Sequence, residues 1–317
     1  MASASPDNVF VDHIIVPAVD GFALAATLFL PRGRKLRAIL ISSATAAPRD
    51  LYTEFACYLA SRGCVVLTYD YRGTGGSRRS VISGEKSRPS LSGFQASMAD
   101  WAARDATAAV AWMRGHYKDL ALSYVGHGFG GQALGLIPNN GDVSRALLIA
   151  SQAGYWKHAK GRERYRLYVL MNYVGKPATR VFGYLPGGLG FGADVPKGVF
   201  DQWSSWARKP RFMFDDPNLA GLGNFQNYTG PLRAMCFSDD DAATRTATQL
   251  LCREFTATRA QVIEIAPGDV GVKKIGPHGF FKSDLRETLW RGAAEWLETQ
   301  APPVAIPEPL YSAAARA

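Results

Sequence analysis

The chain has 317 residues, 47% of them hydrophobic and 20% charged, which is the balance of an ordinary globular protein. That length fits one large domain with an insertion, or two small domains. A net charge of +9 indicates either an anionic ligand or surface, or a solvated basic surface without a partner. We find no nucleic-acid-binding motif and no metal-ligand spacing, so we expect no nucleic acid, metal or cofactor.

The sequence carries no sign of targeting to a membrane or of secretion. Residues 1–10 lack a basic segment followed by an apolar one, and the longest apolar runs are of strand length. The four cysteines lie in apolar or helical stretches, as expected of small buried side chains. We therefore expect a cytoplasmic protein with no membrane span, and the sequence leaves a homodimer open.

In chain order, short apolar runs alternate with helical patterns. The apolar runs, which predict strands, are 9–18, 22–30, 37–43, 64–73, 119–128, 145–152, 232–238 and 261–267. The patterns that predict helices are 50–63, 97–116, 129–137, 243–255 and 284–299. This alternation predicts an α/β fold whose mostly parallel sheet is covered by helices on both faces.

The alternation breaks in the middle of the chain. Residues 153–229 are rich in Trp, Tyr, Gly, Pro, Lys and Arg, and we interpret them as a cap or lid inserted into the sheet domain. The core is then 1–152 together with 230–300. Residues 301–317 are rich in proline and alanine and are expected to be an extended tail.

The stretch YVGHGFGGQ, residues 124–132, runs from a predicted strand into a predicted helix. Glycines at 126, 128 and 130 suit a tight turn in which two backbones nearly touch. The amide of Phe129, the first of the following helix, lies where it can stabilise an oxyanion. This part of a site needs only backbone, so it does not depend on the side chain at position 128.

An acid and a histidine follow downstream in the order typical of hydrolases. The acid candidate is Asp240, with Asp239 and Asp241 as alternates; the same run also fits an N-cap for the next helix. His278 lies in a Gly/Pro loop after the last strand. It is either a catalytic base or an ordinary surface residue. His127, inside the turn, is either a packing residue or a substrate contact.

The chain resembles the branch of the α/β-hydrolase superfamily known as predicted hydrolases, which is related to serine aminopeptidases and esterases. The resemblance runs over nearly the whole length and is carried by YTEFACYLASRGCVVLTYDYRGTGGS, DWAARDATAAVAWM, VGHGFGGQ, GYLPGGLGFGADVPKGVFDQW and LWRGAAEWL. It implies an eight-stranded core, a cap over the turn and an active site at the carboxyl ends of the strands. It implies no particular substrate.

Three departures from the family pattern stand out. Family members usually carry serine where this sequence has Gly128, and their histidine lies where this chain has Pro277, one position before His278. The first oxyanion loop, SSATAAPRD, has Ala46 where the family tends to have glycine; its Ala44 and Thr45 are the expected oxyanion residues with Phe129. The resemblance retains Asp240 as the acid.

Aromatic residues of the insertion are candidates for a pocket that takes an apolar or ring-bearing small molecule. The alternative is that they form the insertion's own core. The candidate substrate-binding residues are His127, Tyr155, Trp156, Trp203 and Trp206. The basic run from Lys157 to Arg166 faces solvent or steers an anionic group.

Glycine has no atom that can attack a carbonyl, so covalent acyl-enzyme chemistry at residue 128 is excluded. Three hypotheses remain. The protein is an enzyme that uses His278 and Asp240 in acid–base chemistry on a carbonyl-containing substrate, with Gly128 making room for it. Alternatively, it is a catalytically silent binding protein, or an engineered serine-to-glycine knockout of an esterase or peptidase.

Overall fold

A computed structural model describes residues 9–78 and 90–299 of the chain. Residues 1–8, for which the sequence predicts a loose start, and the predicted tail at 301–317 lie outside the described residues. The strands are β1 Val9–Pro17, β2 Ala23–Pro31, β3 Arg37–Ser42, β4 Cys64–Tyr69, β5 Leu122–His127, β6 Arg145–Ile149, β7 Tyr184–Leu185, β8 Val195–Pro196, β9 Leu232–Phe237 and β10 Gln261–Ile265.

Eight of these strands form one sheet in the order β1-β2-β4-β3-β5-β6-β9-β10. β1 pairs antiparallel with β2, and β2 with β4, whereas all pairs from β4 to β10 are parallel. Apart from Arg37 at the start of β3, the central strands are buried along their whole length, because helices cover both faces of the sheet. The predicted eight-stranded, mostly parallel sheet is therefore confirmed.

Outside residues 153–229 the helices follow the predicted positions closely, whereas the three helices within that segment were not predicted. They are α1 Thr53–Ser61, α2 Met98–Asp100, α3 Thr107–His116, α4 Phe129–Leu136, α5 Gly161–Val169, α6 Gly175–Phe182, α7 Lys197–Ala207, α8 Arg245–Arg253 and α9 Arg291–Glu298. Wider π-helical turns, Trp101–Ala106, Leu170–Val174 and Arg286–Trp290, lead into α3, α6 and α9. The hydrophobic periodicity does not distinguish such turns from regular helix.

The core has one layer on each face of the sheet. On one face, side chains of α3 and α4 pack with Trp101 and Tyr124. On the other face, α1 and α9 pack around Phe55 and Trp290. Between β6 and β9 lie α5, α6, α7 and the short ribbon of β7 and β8, all within the predicted insertion, residues 153–229. We call that segment the insertion.

Candidate active site

The turn between β5 and α4 keeps the shape that its glycines predicted. Gly128 has φ 51° and ψ −112°, and its amide donates to the carbonyl of Ile149 at 3.0 Å. A Cβ on Gly130 would lie 2.1 Å from the carbonyl oxygen of Ser42, and one on Gly126 would lie 2.6 Å from the Cα of Gly131. Glycine is therefore required at 126 and 130 by close backbone approach, whatever chemistry the turn carries.

Ala44 sits directly over Gly128. A Cβ built on Gly128 would lie 2.9 Å from the Ala44 Cβ and 3.5 Å from its Cα. The first distance is shorter than ordinary contact, so a side chain at 128 requires Ala44 to move. The room that a glycine was expected to open is consequently taken in part by the Ala44 methyl group.

The three predicted oxyanion residues differ in how their amides are used. The Ala44 amide donates to the buried hydroxyl of Tyr52 at 3.0 Å and is not free to bind an oxyanion. Within the part of the chain that the structure describes, the amides of Thr45 and Phe129 have no hydrogen-bond acceptor. Both residues line the same cavity as Gly128, so they supply the two amides available for a carbonyl oxygen.

His127 is fully buried and bridges two loops of the site. Its Nε2 lies 2.8 Å from the carbonyl oxygen of Pro277, which only accepts, so Nε2 carries the proton. Its Nδ1 then accepts from the hydroxyl of Tyr52 at 2.9 Å. Burial, together with repulsion from His278, lowers the pKa of His127 to about 3 and keeps the ring neutral. His127 thus ties the oxyanion loop to the histidine loop.

The three consecutive aspartates have three different surroundings. Asp239 accepts from the amides of Ile275 (2.8 Å) and Gly276 (3.0 Å), so it holds the backbone of the histidine loop. Asp241 is exposed and does not line the cavity. The sequence also allowed one of these aspartates to be the N-cap of α8. The N-cap is instead Thr244, whose hydroxyl accepts from the amide of Ala247.

Asp240 is the member of the run that lines the cavity. Its Oδ1 accepts from the amides of Ala242 (2.9 Å) and Ala243 (3.0 Å), while its Oδ2 is buried and has no hydrogen-bond partner among the described residues. Burial raises the pKa of Asp240 because the charged form loses hydration, and the two amide bonds offset only part of that. The two bonds to Oδ1 therefore fix the position of the carboxyl group, whereas no hydrogen bond from the described residues offsets the lost hydration of Oδ2.

His278 lies at the rim of the same cavity, with its ring 5.3 Å from that of His127 in an edge-to-face arrangement. Neighbouring protein removes part of its hydration and lowers the pKa of His278, so the ring is mainly neutral near pH 7. No hydrogen bond joins His278 to Asp240 among the described residues. The structure brings the predicted acid and base to one cavity but does not join them directly.

The cavity lies between the sheet and the insertion and has a volume of about 250 Å³. The sheet side contributes the residues named above, and the insertion contributes Tyr155, Glu163, Arg166, Phe191 and Trp203. Tyr155 and Trp203 therefore lie where the sequence predicted substrate contacts. The cavity is large enough for a small molecule with a ring or a short chain.

Two predicted substrate contacts lie elsewhere. Trp206 is fully buried beside Phe212, and its indole nitrogen donates to Asp216 at 2.6 Å. Trp156 packs against Tyr168 and does not line the cavity. These two rings pack within the insertion and do not line the cavity, which agrees with the alternative that the aromatic residues form the insertion's own core.

Sequence reasoning missed several residues of the site. Tyr52 lies 75 positions before His127, and nothing in a helical pattern marks its hydroxyl as a link. Glu163 and Arg166 form a double hydrogen bond, at 2.6 Å each, on the cavity side of α5; their i,i+3 spacing was a usable signal. In the described residues, no group of three His, Cys, Asp or Glu side chains is placed to hold a metal ion.

The fold and this site define an α/β-hydrolase scaffold. The family described as "Alpha/beta hydrolase family" matches residues 38–307, and the chain belongs to that family. No curated protein matches the chain. Across the described residues, no helix is both long and apolar enough to cross a membrane.

Solved structures show the same fold at low sequence identity. A hypothetical protein, PA2218 from Pseudomonas aeruginosa, is 18% identical with a TM-score of 0.57 over 95% of this chain and 98% of its own. A thermostable carboxyl esterase from Bacillus coagulans is 13% identical with a TM-score of 0.59 over 90% and 97%. An esterase from Exiguobacterium antarcticum is 14% identical with a TM-score of 0.55 over 91% and 100%. At these identities the likeness establishes the fold alone.

Proposed function

We propose that the protein is an enzyme of esterase or peptidase ancestry that acts on a small carbonyl-containing substrate without forming an acyl-enzyme. The observation that carries the proposal is that Gly128, Asp240 and His278 line one cavity although residue 128 has no side chain. The neighbouring amides of Thr45 and Phe129 support the same role, since they can stabilise a developing oxyanion. The aromatic rings of Tyr155 and Trp203 fit an apolar or ring-bearing substrate.

The pKa shifts of the two titratable groups suit acid–base chemistry. Burial raises the pKa of Asp240 toward the neutral range and lowers that of His278, so the imidazole is mainly unprotonated near pH 7. A neutral imidazole can accept a proton. The uncompensated Oδ2 of Asp240 can stabilise the imidazolium that results, once substrate binding brings the two groups closer.

In the hydrolytic form of this chemistry, His278 takes a proton from a water molecule, and the water oxygen attacks the substrate carbonyl carbon. The electron pair of the carbonyl bond moves to its oxygen, which the amides of Thr45 and Phe129 stabilise. Collapse of this intermediate breaks the bond to the leaving group, which takes the proton back from His278. No bond to residue 128 forms at any step.

The test is hydrolysis of p-nitrophenyl acetate, a small activated ester with a ring. His278→Ala should lower kcat/KM by about 10²-fold or more, the usual contribution of a general base. The rate of the unaltered protein should rise with pH through the lowered pKa of His278 and level off by about pH 7. His116→Ala is the matched control, because that histidine is exposed and lies outside the cavity.

A result in which His278→Ala and His116→Ala hydrolyse the ester equally fast would reject the enzyme proposal. Binding of the ester or its products without conversion would instead favour the second candidate, a binding protein. The observation that favours this candidate is the missing hydrogen bond between Asp240 and His278.

The engineered-knockout hypothesis fits the structure less well. A side chain introduced at position 128 would contact Ala44 too closely, so the cavity wall is arranged around glycine.

A further inference from the structure

The longest helix of the insertion carries an exposed apolar face. α5, the π-helical turn Leu170–Val174 and α6 follow one another without a break over residues 161–182, and we call this segment the basic helix. At about 1.5 Å per residue it is about 33 Å long. Its large apolar side chains that face solvent are Tyr165 (71% exposed), Tyr168 (38%), Val169 (45%), Tyr173 (65%), Val181 (77%) and Phe182 (49%).

The opposite face of the basic helix is anchored in the insertion. Leu170, Met171 and Ala178 are buried, and Gly175 packs against the ring of Phe200 on α7. The exposed apolar stripe is therefore not the side that the helix needs for its own packing. An apolar stripe left in water on an otherwise packed helix marks a contact with something outside the described chain.

The charge of the same segment is strongly one-sided. Its residues, 161–182, contain five Lys and Arg side chains and one carboxylate, a net +4 out of the whole chain's +9. The single carboxylate, Glu163, is already paired with Arg166. Lys176 and Arg180 are exposed and have no ion-pair partner among the described residues. The apolar stripe is thus flanked by uncompensated positive charge.

We propose that the outer face of the basic helix docks on the surface of an anionic phospholipid bilayer. A helix with exposed tyrosine and aliphatic side chains between lysines and arginines has the composition of an interfacial membrane helix, which lies in the plane of the headgroups. The cations meet the negative lipid headgroups, and the tyrosines and valines enter the boundary with the acyl chains. The proposal concerns surface binding, and the helix does not span the bilayer.

Two other occupants fit the charge less well. A second copy of this chain, related by a two-fold axis, would bring the same +4 segment against itself. The chain's own undescribed stretches, 1–8, 79–89 and 300–317, together offer no excess of acid, since they hold four Lys and Arg side chains and three carboxylates. An anionic surface supplies the complementary charge that neither of these has.

The test is flotation of the full-length protein with vesicles. Vesicles of phosphatidylcholine with about 30% phosphatidylglycerol should bind the protein at low salt, and vesicles of phosphatidylcholine alone should not. Raising the salt to about 1 M should release most of the protein, because the Debye length falls to about 3 Å. Flotation does not depend on catalysis, so its outcome is independent of whether the proposed enzyme activity is found.

Two sets of variants separate the contributions. Lys176→Gln with Arg180→Gln should weaken binding by about 25-fold, since each cation near an anionic surface contributes about fivefold. Tyr165→Ser with Tyr173→Ser should also weaken flotation at low salt, because it removes the two most exposed tyrosines of the apolar stripe. Arg32→Gln with Arg34→Gln removes the same charge from the turn after β2 and should leave binding unchanged.

Circular dichroism of each variant checks that it is folded. We expect every variant to fold, because the substituted side chains are exposed. Equal flotation with neutral and anionic vesicles would overturn the proposal, and so would failure to float with either. Equal loss of binding in the control variant would show that only overall charge matters and would overturn it as well. A dimer in solution that Tyr165→Ser with Tyr173→Ser disrupts would assign the face to a second copy instead.

Discussion

Placing a serine at position 128 should destabilise the protein, even though a serine is what an acyl-transfer site would need. Two costs arise at that position. Gly128 has φ 51°, a conformation that costs a residue with a side chain about 1–3 kcal/mol. Its new Cβ would also lie 2.9 Å from the Ala44 Cβ, and relieving such overpacking typically costs about 1–3 kcal/mol. We therefore expect Gly128→Ser to lower the free energy of unfolding by about 2–6 kcal/mol.

Urea unfolding followed by tryptophan fluorescence measures this loss. Gly21→Ser is the matched control, because Gly21 has φ 80° but nothing within 4 Å of a new Cβ, so it carries the backbone cost alone. Ala44→Gly removes the contacting methyl group. Ala44→Gly with Gly128→Ser should be more stable than the sum of the single effects by about 1–3 kcal/mol, which is the contact contribution.

Two results would refute this reasoning. One is a Gly128→Ser protein as stable as the unaltered chain, and the other is additivity between the substitutions at 44 and 128. If the double variant is folded, a fluorophosphonate probe then asks whether His278 can activate the new hydroxyl. Labelling should appear in the double variant and should be lost when His278→Ala is added.

Further predictions concern the residues that hold the histidine loop. Since the pKa of His127 is about 3 in the folded protein and about 6.5 when unfolded, the unfolded chain takes up the proton first as the pH falls. The unaltered protein should therefore lose about 4–5 kcal/mol more stability than His127→Asn between pH 7 and pH 3, measured by denaturant unfolding at each pH; equal losses would contradict the buried neutral ring. Asp239→Asn should cost about 1–3 kcal/mol and speed hydrogen exchange at the amides of Ile275 and Gly276, whereas exposed Asp241→Asn should change stability by less than about 0.5 kcal/mol.

The sheet could be predicted because each of its strands is an apolar run bounded by turn residues. β5 and β6, for example, are buried throughout, and their sequences show it directly. The ribbon of β7 and β8 has two residues in each strand, too few to show a period. The π-helical turns were not predicted either, because a local change of helical pitch leaves the apolar pattern almost unchanged.

The site was predictable only where a local signal marked it. The turn at Gly128 has a glycine spacing that reflects close backbone contact, and Asp240 and His278 follow in hydrolase order. Trp203 and Trp206 are three residues apart on α7, yet Trp203 lines the cavity and Trp206 lies in the insertion's core. Composition cannot separate them, because the rotation of α7 is set by packing between segments far apart in sequence.

The contact between Ala44 and Gly128 and the link through Tyr52 and His127 are also products of tertiary structure. They join the oxyanion loop, the turn and the histidine loop, which are separated by 75 residues or more along the chain. Each of these residues looks ordinary in its own stretch of sequence. Their roles depend on tertiary contacts at the carboxyl ends of the strands, where the loops after β3, β5 and β10 meet.

The central claim is that chemistry in this cavity proceeds without an acyl-enzyme, and rapid-quench kinetics with intact-protein mass spectrometry tests it most directly. During turnover of p-nitrophenyl acetate we expect p-nitrophenol to be released at a constant rate from the first turnover, with no transiently acetylated protein. A burst of one equivalent, accompanied by an acetyl group on a side chain of the cavity that forms and decays at the rate of turnover, would contradict the account.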